Sequence, residues 1–110
     1  MNRFGGNVDW AGHEQAKAKF WHKQLHIFLH PFYYVEYGIA QLGALQVWAN
    51  SKADRARALG DYKAALALGG SRPLPDLFER CNIRFDLSRD TVAPMADLLR
   101  KEMAALKNGG

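Results

Sequence analysis

The densest group of chemically capable side chains lies at residues 31–37, Pro31-Phe32-Tyr33-Tyr34-Val35-Glu36-Tyr37. A phenol has a reference pKa of about 10, so it is a neutral donor at pH 7. It can donate to an oxyanion without first losing its proton, as a tetrahedral acyl-transfer intermediate requires. On a helix Tyr34 and Tyr37 are three apart and Tyr33 and Tyr37 four apart, so each pair shares a face. The same spacing also describes core aromatics with their hydroxyls at the rim.

Just upstream, His22, His26 and His30 recur every fourth residue. Two of them could hold a metal ion loosely, but no carboxylate or thiolate completes a ligand set at that spacing. His22 reads as solvent-facing, His30 as a helix end beside Pro31, and His26 as a satisfied or site histidine. His13-Glu14-Gln15-Ala16-Lys17 begins like the zinc motif H-E-x-x-H. Its fifth residue is a lysine, whose ammonium has no lone pair and repels a cation, so the stretch reads as helix surface. Leu68-Gly69-Gly70-Ser71-Arg72-Pro73 lacks the Gly-Lys-Ser/Thr ending of a phosphate loop and reads as a helix stop. Cys81 follows Leu77 and Phe78 on a predicted helix, so a buried thiol is the expectation rather than a nucleophile.

The elements that must position these residues read as all-α, about five helices. Asp9 is placed to cap a first helix running to Leu29 and ended by Pro31. A second spans about 32–50, thinned by Gly38, Ala40, Gly43 and Ala44 so that another helix can approach. Its two glycines cost about 1 kcal/mol each relative to alanine, which suggests a packing or access reason. A third runs from Ala53 to Leu68 and stops at Gly69-Gly70. Pro75 opens a short fourth over 76–81, residues 82–87 are extended or irregular, and Ser88 caps a last helix over 89–107 with Pro94 near its first turns.

The chain has 110 residues, 48% hydrophobic and 24% charged, which suits one small globular body or part of a larger one. The net charge of +4 comes from scattered lysines and arginines with acidic residues among them, so no nucleic-acid partner is expected. One cysteine fits a reducing compartment, and no apolar run approaches the ~20 residues of a membrane span. Residues 1–10 are polar and glycine-containing, unlike a signal or transit peptide, so the expected location is the cytoplasm.

Several blocks together resemble a known family. They are Arg3-Phe4-Gly5, Val8-Asp9-Trp10, Trp21, residues 24–28, residues 31–46, residues 61–66, Gly69-Gly70-Ser71 and residues 74–78. The chain resembles the C-terminal region of bacterial oligoendopeptidase F-type enzymes, within the thimet oligopeptidase family of zinc metallopeptidases. The resemblance runs to about residue 105 and is most specific from His26 to Gln46. It implies that residues 1–110 form a C-terminal helical segment of a larger helical peptidase catalytic domain. It further implies that His26, Tyr34 and Tyr37 face a zinc ion across a cleft, bind the substrate backbone and stabilise the oxyanion. Tyr33 is carried as a further substrate-binding residue. In the family zinc is held by H-E-x-x-H and a later Glu, N-terminal to the region that resembles this chain. These 110 residues contain neither, so the chain alone is expected to bind no zinc and to be catalytically incomplete. The implied partners are a short peptide substrate and an N-terminal peptidase segment. The alternative is a free-standing, non-catalytic helical module that self-associates or binds a partner protein through its aromatic surface.

Overall fold

The computed structural model describes residues 7–108. Arg3, Phe4 and Gly5 of the family-like stretch, and the glycines after Asn108, lie outside them. The described residues form six α-helices and no strand, so the chain is all-α. It divides into two compact units, Met1–Val35 and Glu36–Gly110.

In the first unit the single long helix expected from Asp9 is replaced by three short pieces. They are α1 (Glu14–Lys19), a 3₁₀ turn (Phe20–Lys23) and α2 (His26–Leu29). Asp9 does not cap a helix; its Oδ1 accepts the N–H of Ala11 at 2.9 Å, closing a local turn. Glu14 Oε1 accepts the N–H of Gly12 at 3.0 Å. Its own and the Gly12 amide hold that carboxyl below the usual range. The reason for the break is aromatic pairing. Trp21 and Phe28 stack with centroids 5.6 Å apart. In a straight helix those seven residues would separate them by about 10.5 Å along the axis. Trp10 meets Phe20 edge-on at 5.4 Å, and Lys23 Nζ sits 3.9 Å above the Phe20 ring. Each aromatic pair contributes about 0.5–1.5 kcal/mol, comparable with the propensity of several helical residues.

The second helix also starts later than expected. Pro31 keeps His30 out of the helical region (φ −135°, ψ 79°), and Phe32 is left-handed at φ 66°. Residues 31–34 are therefore turn, and α3 runs Val35–Ala53. Asp54 then leaves the helical region and caps α4 (Arg55–Leu68), accepting the N–H of Arg57 at 3.0 Å. Gly69, at φ 53°, ends α4, and its N–H donates to the Leu66 carbonyl.

After the 3₁₀ turn Gly69–Ser71, α5 (Leu74–Arg80) carries Pro75 in its first turn, as the sequence predicts. It packs on α4. It ends in a Schellman motif built on asparagine rather than glycine. Asn82 is left-handed at φ 56°, its N–H donates to Glu79 O, and Ile83 N–H donates to Phe78 O.

Residues 83–87 are irregular and lead into α6 (Arg89–Asn108). Ser88 stands where the cap was expected, but its hydroxyl donates to Asp86. Asp86 also accepts Thr91 Oγ1 at 2.8 Å and Ser88 N–H at 2.8 Å. The two hydroxyls, then the amide, hold its carboxyl below the usual range. Pro94 lies inside α6 without ending it.

Two features of α3 hold the second unit together. Gly43 is buried, and a Cβ built on it would lie 3.0 Å from Cζ of Phe78. Gly38 has nothing within 4 Å, so the thin face is used at one of its two glycines. One turn beyond Gly43, Gln46 is 8% exposed and uses both ends of its amide. Its Nε2 donates to Arg84 O at 3.0 Å, and its Oε1 accepts Arg84 N–H at 2.9 Å. Asn50 adds a bond to Asn82 O at 2.9 Å.

Two measurements check this packing. Gln46→Ala leaves the Arg84 amide and carbonyl without these partners and lowers stability by about 1–3 kcal/mol in urea denaturation. An unchanged midpoint would show that the clamp contributes nothing. Gly38→Ala raises stability by about 0.5–1 kcal/mol through helix propensity. Gly43→Ala is expected to lower it despite the same gain, because the methyl displaces Phe78 at an overpacking cost of about 1–3 kcal/mol. Equal effects at both glycines would contradict the close α3–α5 approach.

Candidate functional site

The first unit gathers four of the aromatic side chains singled out above. His26 is the first residue of α2 and His30 follows its last. The His30 N–H donates to His26 O at 3.1 Å, and Tyr33 N–H donates to His30 O at 3.1 Å. These linked turns, closed by Pro31 and the left-handed Phe32, fold the chain back on itself. The Tyr33 ring lies parallel to the His26 imidazole, within 11°, at a centroid distance of 5.8 Å. Tyr34 is tilted against the same imidazole at 5.7 Å. His30 lies 6.3 Å from His26 and 6.0 Å from Tyr33.

The tyrosines reach His26 by a route that helix spacing does not describe. Because α3 begins at Val35, Tyr33 and Tyr34 sit in the preceding turn, not on a helical face shared with Tyr37. Tyr37 lies in the first turn of α3, in the second unit. Tyr33, Tyr34 and Tyr37 are all exposed. His30, not carried as a site residue from the resemblance, belongs to the ring cluster. Its four-residue spacing from His26 was the available signal, since one helical turn brings such residues together.

Chemically, the cluster brings together two imidazoles and two phenols. Imidazole and phenol can each donate and accept, so such a surface can engage the N–H and C=O groups of a peptide backbone. As a metal site it does not fit zinc. Among the described residues no group of three or more His, Cys, Asp or Glu could hold a metal ion. A protein zinc site needs at least three such ligands. His13 precedes α1 and Lys17 lies within it, with Lys17 N–H donating to His13 O at 2.9 Å, as ordinary helix backbone.

Cys81 is buried at the end of α5. Burial, and secondarily the Asp61 charge, push its thiol up, which disfavours the thiolate. Among the described residues no helix is long and apolar enough to cross a membrane.

Sequence reasoning missed one feature of the second unit. An apolar groove of about 460 Å³ lies among α3, α4 and α5. Ala40, Gly43 and Ala44 were singled out as a thin face, but their partners, Tyr62 and Ala65 of α4 and Leu77 and Phe78 of α5, are distant in sequence.

The stacked His26–Tyr33 pair has a spectroscopic consequence. Tyr33→Leu removes the neighbouring ring current, so the His26 imidazole C–H resonances are expected to move in a ¹H–¹³C spectrum. Tyr62→Leu, in the other unit, leaves them in place. Unchanged His26 signals in Tyr33→Leu would mean that the rings do not stack in solution. Comparison with protein-family models, curated proteins and solved structures finds no match to this chain, so its function is argued from its own residues.

Proposed function

We propose that this chain is the C-terminal helical part of a zinc endopeptidase of oligoendopeptidase F type, acting on short peptides in the cytoplasm. The observation that carries the reading is the convergence of Tyr33 and Tyr34 on His26, within the block that most resembles that family. In this reading His26, Tyr34 and Tyr37 are the catalytic residues this chain contributes. His26 binds the substrate backbone. Tyr34 or Tyr37 donates to the oxygen that becomes negative as the peptide carbonyl is attacked. Neutral phenols suit that task because they gain hydrogen-bond strength as charge develops on the acceptor. Tyr33 orients His26 by stacking and lines the path of the peptide. Among the described residues no group of donors could hold zinc, and in this reading metal and water activation belong to a segment that carries H-E-x-x-H.

The test supplies that segment. The metal-binding part of an oligoendopeptidase F-type enzyme is co-expressed with this chain, and cleavage of a fluorogenic short peptide is followed. Cleavage requires both parts. Tyr34→Phe or Tyr37→Phe lowers kcat by about 10²–10³, the cost of losing one oxyanion donor. No complex and no cleavage, or a rate indifferent to both tyrosines, overturns the assignment.

A second reading has its own support. Leu106 is 79% exposed, Leu66 60% and Met103 58%. A module that self-associates or binds a partner protein would cover such side chains. Under it, sedimentation velocity shows a concentration-dependent increase in mass for the isolated chain. A strict monomer at high concentration removes self-association.

A further inference from the structure

The last helix carries two stripes, and one of them is used inside the chain. Thr91, Met95, Leu98 and Glu102 recur every three or four residues along α6. Thr91 is buried, Thr91 and Met95 border a pocket shared with Gln46 and Asn50 of α3, and Glu102 pairs with Lys52 of α3 at 2.5 Å. That stripe faces α3. The second stripe, Val92, Ala96, Leu99, Met103 and Leu106, is wholly apolar. With 3.6 residues per turn its centre lies about 90° round the helix from the first. Val92, Met103 and Leu106 are exposed, and Ala96 and Leu99 are half-buried.

We propose that this second stripe is a seam for a second copy of the chain, paired parallel and in register. The steps between its five residues are four, three, four and three, the alternation of the two seam positions of a heptad. The flanking charges select the occupant. Glu102 precedes Met103 on one flank, and Lys107 follows Leu106 on the other. In a parallel pair each flanking residue faces the one five further along the partner, so Glu102 meets Lys107 of the other copy, twice. In an antiparallel pair Arg100 and Lys107, on the same flank, would face each other with like charge. The surface is thus complementary to itself in one orientation. Pro94 lies on the side of α6 away from the stripe and does not interrupt it. Because α3 packs about 90° from the seam, a two-fold axis carries the two α3 helices to opposite sides. The seam is short, but α6 is already a helix within the fold, so pairing bears no nucleation cost. A weak, reversible dimer is expected.

This inference rests on the self-association reading and gives it a surface. The test uses sedimentation velocity of the full chain. The wild type dimerises with rising concentration. Met103→Glu or Leu106→Asp, at exposed positions, raises the dissociation constant about tenfold or more by burying a charge in the seam. Lys107→Glu raises it about two- to fivefold. Leu66→Glu, on exposed α4, leaves it unchanged. Far-UV circular dichroism confirms that the variants stay helical, and either seam substitution suffices if the other does not fold. Orientation is read by Leu106→Cys, which a parallel register sets beside its own copy. Under oxidised glutathione it forms a covalent dimer faster than Leu66→Cys does. A strict monomer overturns both the seam and self-association. A dimer indifferent to the α6 substitutions, or lost in Leu66→Glu, overturns the seam alone. Equal cross-linking of the two cysteine variants overturns the parallel register.

Discussion

The amide of Gln46 is the interaction on which the second unit depends. It spans 38 residues of sequence, lies almost wholly out of water, and satisfies both backbone groups of Arg84. A buried amide with either end unpaired would oppose folding, whereas a doubly bonded one admits a single register. The neighbouring contacts follow from that register. With Arg84 held, Ile83 closes the Schellman motif over Phe78, and Phe78 presses on the bare backbone of Gly43. The buried side chains of this unit are small or polar: Ala58, Ala65, Cys81, Gln46 and Thr91. With no large side chain fully buried among the described residues, directional hydrogen bonds carry positional information that a bulky core would otherwise supply.

The other ties are weaker in kind. Lys52 and Glu102 join α3 to α6, and Asp61 receives Arg57 and Arg80 at 3.8 and 3.7 Å. These pairs are partly exposed, where solvent and salt reduce each to a fraction of a kcal/mol. Asp86 differs, because three donors converge on it and set the approach to α6. Beyond Glu102 the last turns of α6 expose Met103 and Leu106. An apolar groove among α3, α4 and α5 is also left open in this unit.

The first unit is organised by rings. Trp10, Phe20, Trp21 and Phe28 pair with one another, and His26, His30, Tyr33 and Tyr34 form a second group. The second group carries the peptidase proposal, since it places the His26 imidazole beside two exposed phenols. Stacking fixes the plane of His26, and an oriented imidazole loses less freedom when it binds a peptide group.

Helix content, helix stops and the lone buried thiol were legible in the amino-acid order, because propensity, proline geometry and capping act over a few residues. The ends of α4 and the start of α5 lie close to the expected Ala53, Gly69-Gly70 and Pro75, whereas the Asp54 cap came from the structure. The singling-out of His26, Tyr33, Tyr34 and Tyr37 came from residue type and family resemblance. That His26 meets Tyr33 and Tyr34 was not derivable from helical spacing, because Phe32 takes a left-handed conformation that puts both tyrosines in a turn. Nor was the breaking of the first helix, where ring pairing outweighs a modest helical preference. Which glycine of α3 meets a neighbour, and which polar residue becomes a buried clamp, were decided by tertiary structure alone. Both depend on Phe78 and Arg84, more than thirty residues away, and a local pattern carries no record of what arrives from that distance.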